Sequence, residues 1–380
     1  MTSCTPLDGI RVFELGASVA APYGAWVLAQ LGAEVIKVEK PGDGDDARHW
    51  GPPFWHGTGA MFHALNRDKK SITVNLRDDA ELARLRKLIL KTGDVVIQNM
   101  RPGKANEMGL GPDELTAEKP ELIYANFGAF GSTGPYSDRP GYDPLMQAFG
   151  GLMSVTGEEG RPPVRVGTSI IDMGTGMWSV IGITAALRER EITGKGGVVD
   201  LSLYETSIAW MTSHTAAYHA GGSMPSRFGS GMRSIVPYQA YECSDGFLVI
   251  AGANNSLFEK ISAALGHPEW PEDERFKTNP DRVQNRDAIN DKITETLKTE
   301  PRSHWQKALD DVGVPNAPIQ NTGEMDEHPQ TKALEIIQES PDGSVKITGT
   351  PISFDGTRPP FRDRAPEIGQ HNDEIFGELD

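Results

Sequence analysis

Short runs rich in Val, Ile and Leu alternate, through the first half of the chain, with longer stretches whose apolar positions recur every three or four residues. Residues 10–15 (ending at Gly16), 35–38 (closed by Pro41 and Gly42), 71–76, 95–97 and 122–124 have the length and composition of buried strands. A helix is expected over about 22–31. The clearest helix is 78–92: acids open it, Leu82, Leu85, Leu88 and Ile89 fall on one face, and Gly93 follows it. This repeated strand–helix unit predicts an α/β fold with a Rossmann-like, three-layer large domain over residues 1–200.

The pattern changes in the second half. A long helix is predicted over 172–189, and a strand over 198–203 leads into another helix. Paired strands at 238–243 and 247–250 surround the turn Ser244-Asp245-Gly246, with helices over 257–265 and 287–297. Residues 225–325 are therefore expected to form a smaller α+β domain. Segments 201–224 and 326–344 are expected as linkers, and 345–380 as a return to the large domain.

The chain has 380 residues, enough for two cores, and a formal net charge of −16. That balance excludes nucleic acid and anionic membranes as expected partners, because both need clustered positive charge. An anionic ligand would have to be met by a local group of cations. Cys4 and Cys243 are too few and too far apart for a disulfide framework or a zinc site, which fits a reducing, cytoplasmic setting. Residues 1–9 lack the basic and apolar regions of a signal peptide. The apolar stretch 17–36 carries Pro22, Gln30 and Glu34 and two glycines, so it is not expected to span a bilayer.

Several chemistries are absent from the motifs. Gly16-Ala17-Ser18-Val19-Ala20-Ala21 follows the first strand but is not the glycine fingerprint of a dinucleotide site. There is no phosphate-binding P-loop. The nine histidines form no metal-ligating pattern, and no metal is expected. Asp172 is different. It lies between Ile170-Ile171 and Met173, and Gly174-Thr175-Gly176 then opens an apolar helix. A carboxylate there would be partly desolvated while facing helix N-terminal amides, and the glycines would leave room for a bulky substrate. Read locally, it is more readily an ordinary helix-capping aspartate.

An ordered series of segments tips that balance. Residues 6–12, Ala21-Pro22, 31–39, Asn66-Arg67-Asp68-Lys69-Lys70-Ser71-Ile72, Asn99-Met100-Arg101-Pro102-Gly103, Tyr142-Asp143, 172–176, 194–197, Val314-Pro315, Ala365-Pro366 and Gly369-Gln370-His371 follow one another along the chain. Together they resemble the class III CoA-transferases, the formyl-CoA transferase-like family, over nearly the whole sequence.

The resemblance implies an enzyme that moves CoA from an acyl-CoA to a carboxylic acid through an aspartyl-CoA thioester on Asp172. CoA enters as part of the substrates, with no other cofactor. The resemblance places Val19, Ala20, Lys40, Val74, Asn75, Arg77, Asn99, Met100 and Arg101 at CoA, although Met100 stands where relatives carry an aromatic residue. Lys69 and Lys70 would add to the positive field. It places Tyr142 and Asp143 at the substrate, and gives the Gly229-Ser230-Gly231 loop the task of excluding water. Locally that triplet also reads as a surface turn, and it has fewer consecutive glycines than the family's loop.

Arg48 and His49 lie in a Trp-rich loop and could receive a second carboxylate, so a short dicarboxylic acid (succinate, itaconate, mesaconate or malate) is the expected acceptor. An interlocked homodimer is also implied. Two alternatives stand beside this. Related α-methylacyl-CoA racemases share the aspartate but carry His where this chain has Tyr142, a poor replacement as an acid/base. A non-catalytic acyl-CoA-binding protein could use the same fold.

Overall fold

The computed structural model describes residues 5–379. Within them the chain divides into two compact units, one built from 5–152, 165–223 and 329–379, the other from 153–164 and 224–328.

The first unit holds a six-stranded sheet: β1 (Arg11–Leu15), β2 (Glu34–Glu39), β3 (Lys70–Thr73), β4 (Val95–Gln98), β5 (Ile123–Gly128) and β6 (Gly197–Ser202). All its pairings are parallel, in the order β3-β2-β1-β4-β5-β6. Successive residues of a strand face opposite sides, and both sides are covered, which is why the strands read as apolar runs. Val12, Val35, Val95 and Ile97 pack with helices α1 (Ala20–Gln30) and α4 (Ile170–Thr193). Phe13, Ile36, Ile72 and Val96 pack against Leu85, Leu88 and Ile89 of α2 (Asp79–Thr92), and against Ile375 and Phe376 near the C-terminus. Asp78 caps α2 by accepting from the amides of Ala80 and Glu81.

Two further helices belong to this unit, α3 (Asp143–Phe149) and α5 (Leu203–Trp210). Residues 201–223, expected as a linker, instead finish β6 and form helices of the first unit; the segment around 329–344 also belongs to it, with a short strand pair, Ile337–Glu339 with Lys346–Thr348. Apolar positions such as Leu203, which is buried in the core beside α4, draw the first of these segments onto the sheet.

The second unit carries a three-stranded antiparallel sheet, β7 (Tyr238–Cys243), β8 (Gly246–Ala251) and β9 (Asn316–Pro318), with β8 in the middle. Its core gathers Tyr241, Leu248, Ile250, Phe258, Phe276, Ile293 and Trp305.

A buried ionic network lies beneath the C-terminal end of β1. Glu14 receives Lys37 at 2.8 Å and Lys69 at 2.7 Å, and Lys37 also reaches Asp45 at 2.8 Å. Glu39 pairs with Arg48 at 2.7 Å. Three carboxylates thus face three cations, nearly all without exposure to water. Lys69 is consequently no contributor to a surface field, and Lys70 is paired to Glu34 and Glu374. Burial forces these ions into pairs, which sequence position alone does not reveal.

Candidate active site

The strand order reverses between β1 and β4, and ligands of open parallel sheets bind at such a point, beyond the carboxyl ends of the strands. The loop after β1 is held there by several groups. Asn99, just past β4, accepts from the Ala17 amide at 3.0 Å and donates to the Ala17 carbonyl at 2.7 Å. Asp45 accepts from the Ser18 amide at 3.1 Å, and Lys37 donates to the Gly16 carbonyl at 2.9 Å. Ser18 takes a left-handed conformation, φ 70°, that this clamp sustains. Gly16 is required by space: a Cβ there would come within 2.5 Å of that of Ala21. Val19 and Ala20 then open α1, whose N-terminus has no side-chain cap. Asn99, expected at CoA, is thus committed to shaping this loop.

Helices α1 and α4 run the same way past each other at very close range. A Cβ on Gly176 would fall 2.8 Å from the Ala20 carbonyl and 2.9 Å from the Gly24 amide nitrogen, while Val180, one turn on, packs with Val27. One turn before Gly176 stands Asp172. Gly174 faces the other way, where a Cβ would meet the Trp210 ring of α5 at 2.8 Å. The two glycines therefore make room for neighbouring helices, which corrects their expected role of admitting substrate.

Asp172 is the third residue of α4 and does not cap it. That task falls to Asp143, distant in sequence and buried at the start of α3. Its Oδ2 accepts from the amides of Ile171 at 2.7 Å and Asp172 at 3.4 Å. Its Oδ1 accepts from Gln147 Nε2 at 2.6 Å, and Gln147 Oε1 accepts from the Val166 amide at 2.8 Å. Asp143, expected at the substrate, turns both oxygens inward, because buried amides at a helix start need an acceptor. The Asp172 carboxylate is half-buried and, among the described residues, receives no hydrogen bond. Burial, reinforced by the charge of Asp143, pushes its pKa up to about 7. Tyr142 is 64% exposed at the head of α3.

The candidate CoA contacts divide between two places. Lys40, Val74, Asn75 and Arg77 line an open cleft of 890 Å³, together with Leu82, Lys104 and Met108. Met100 and Arg101 instead line a cavity of 570 Å³ beside Phe130 and Tyr204. Lys40 is exposed and lies 2.9 Å from Asp46. Lys104, a cation that sequence reasoning missed, opens a short helix after the left-handed Gly103; a Pro-Gly pair immediately before a lysine was the available signal.

Arg48 is not free to receive a substrate carboxylate. It is buried, bonded to both oxygens of Glu39 and to the Pro366 carbonyl, and laid 3.9 Å from the centre of the Phe62 ring. Its expected role is corrected by that burial: a guanidinium in the interior is held by a carboxylate. His49 is exposed and meets the Asp43 carbonyl at 3.0 Å. Gly229 and Gly231 belong to the second unit, where the left-handed Gly229 (φ 62°) donates to the Gly157 carbonyl at 2.9 Å. The neighbouring Phe228 ring is covered by Arg233 and Arg286.

A six-stranded parallel sheet, with a carboxylate at a helix start that receives no hydrogen bond among the described residues, fits an α/β enzyme. The chain belongs to CoA-transferase family III, whose model matches residues 7–372, and it is an enzyme of that class. It is 36% identical to the succinyl-CoA:glutarate CoA-transferase of Mus musculus over 99% of this chain and 87% of that protein. It is 37% identical to the succinate–glutarate CoA-transferase of Agrobacterium fabrum, over 99% of this chain and 96% of that one. Among solved structures, a CAIB/BAIF family protein from Brucella suis superposes with a TM-score of 0.92 at 40% identity, covering 99% of this chain and all of that one.

Proposed function

We propose that this enzyme moves CoA from an acyl-CoA donor to a short dicarboxylic acid, with Asp172 as the nucleophile. The observation that carries this is the Asp172 carboxylate itself, half-buried, free of hydrogen bonds among the described residues and raised in pKa, and so more basic than an ordinary aspartate. Relatives named for succinyl-CoA and glutarate support the choice of donor and acceptor.

An Asp172 oxygen attacks the thioester carbonyl; the C–S bond breaks, and CoA leaves as a thiolate with the electron pair. The product is a mixed anhydride. The thiolate attacks the Asp172 carbonyl and expels the donor's carboxylate, which leaves an aspartyl-CoA thioester. The acceptor carboxylate attacks that thioester, forming a second anhydride, and the returning thiolate takes the acceptor acyl group and frees Asp172. Each step exchanges one acyl bond for another, and the cycle consumes no oxidant or reductant. Val19 and Ala20 would present backbone amides at the head of α1, and Lys40, Arg77 and Lys104 would meet the CoA phosphates. With Arg48 committed elsewhere, the acceptor's second carboxylate must find another cation.

The chain acts as a homodimer. On α4, Met177, Trp178 and Ile181 are exposed, and Trp178 meets the exposed Trp210 of α5 at 6.2 Å. This apolar patch suits a second copy.

The test is intact mass after incubation with succinyl-CoA, then hydroxylamine and peptide mapping. A modification on the Asp172 peptide that Asp172→Asn lacks is expected. Absence of any adduct, with α-proton exchange in deuterated water, would overturn this in favour of a racemase.

A further inference from the structure

We propose that Asp143 is a positioning residue that holds its charge against the ionised Asp172, so that acylation of Asp172 relieves a built-in repulsion. This rests on Asp172 being the nucleophile, and it assigns the driving force for loading it.

The geometry is specific. Three donors converge on Asp143: two amides of the first turn of α4 and the Gln147 carboxamide. A carboxylate has acceptors for all three. An amide in the same place would turn an NH2 group towards at least one donor. The same contacts take up the α4 amides that would otherwise steady a charge on Asp172. The nucleophile is therefore left close to a fixed anion, with no donor of its own among the described residues.

Among the described residues of the neighbouring helices, no other charge offsets this. α1 carries no acid or base apart from the Tyr23 phenol, and α4 has none after Asp172 until Arg188. On α5, Glu205 is engaged by Ser202 at 2.6 Å. Arg165, ahead of α4, is exposed and donates to the carbonyls of Val166 and Gly167. Asp143 is the charged group that acts on Asp172, and it does so in the sense of opposing ionisation.

Forming the mixed anhydride or the aspartyl-CoA thioester makes position 172 neutral. The repulsion is present before that step and absent after it, so it raises the free energy of the resting carboxylate but leaves the adduct unaffected. Burial, with the same charge adding to it, raises the pKa of the resting carboxylate to about 7.

The experiment compares wild type, Asp143→Asn, Asp143→Glu and Gln147→Ala. It measures exchange of labelled succinate into succinyl-CoA against pH, and the fraction of chain trapped as the CoA adduct. In Asp143→Asn the acid limb is expected to move down by about one pH unit, with the equilibrium ratio of adduct to free enzyme falling about tenfold at pH 8. Asp143→Glu keeps the charge and is expected to keep the wild-type limb. Gln147→Ala loosens the support and lowers the rate with the limb in place. An Asp143→Asn enzyme with the wild-type limb and adduct yield would overturn the inference, as would an Asp143→Glu limb displaced like that of Asn. Failure of wild type to form any adduct would instead strike the nucleophile assignment.

Discussion

A carboxylate whose ionisation is opposed by burial and by a second carboxylate ties the stability of the folded chain to pH. Asp172 has a folded-state pKa of about 7, against about 3.9 in an unfolded chain. The native state holds that proton more tightly, so the contribution is fully present below about pH 4 and is lost as pH rises through 7. Asp172→Asn removes the penalty of the buried charge. Thermal melts should therefore show the variant more stable than wild type at pH 8, by about 1 kcal/mol or more, and indistinguishable from it at pH 4. A gap that stays constant across this range would mean that the carboxylate is not strained. Asp172 was singled out by the ordered series of segments along the chain, which puts 172–176 where the resembled family carries its aspartate; its immediate neighbours alone pointed to an ordinary helix cap. The engagements of Arg48 and Asp143 were not, since their partners Glu39 and Ile171 are fixed only by folding.

Among elements, the strands of the large sheet and the helix α2 could be found from periodicity, because burial on both faces and an amphipathic stripe leave direct traces in sequence. The crossing of α1 and α4 could not. It depends on Gly24 and Gly176 meeting across the interface, where each removes a Cβ that would strike the other helix. Gly176→Ala would push a methyl carbon against backbone atoms that cannot turn away. A loss of about 1–3 kcal/mol in melting experiments is expected, accompanied by slower adduct formation as the first turns of the two helices move apart. Gly197→Ala, where a Cβ meets nothing within 4 Å, should leave both properties close to wild type and serves as the comparison.

For the whole molecule, the parallel sheet and the smaller antiparallel one were both foreseeable from the change of pattern after the middle of the chain. The unit limits were harder to see: residues 153–164 join the second unit from far away in sequence, and 201–223 stay with the first. Sedimentation at micromolar concentration should give a dimer, and Ile181→Asp, on the exposed face of α4, should shift it towards monomer; a wild-type monomer would sink the proposed assembly. The neutral set of ions beneath β1 has a different reach. Removing one member strands its partner in the interior, at about 3–5 kcal/mol, a large share of the 5–15 kcal/mol that holds an ordinary protein together. Glu14, Lys37 and Lys69 are thus inherited as a block. A lineage that drifts one codon at a time meets a strongly destabilised intermediate on every route out, and a joint replacement of the set is the smoother path to a new apolar core.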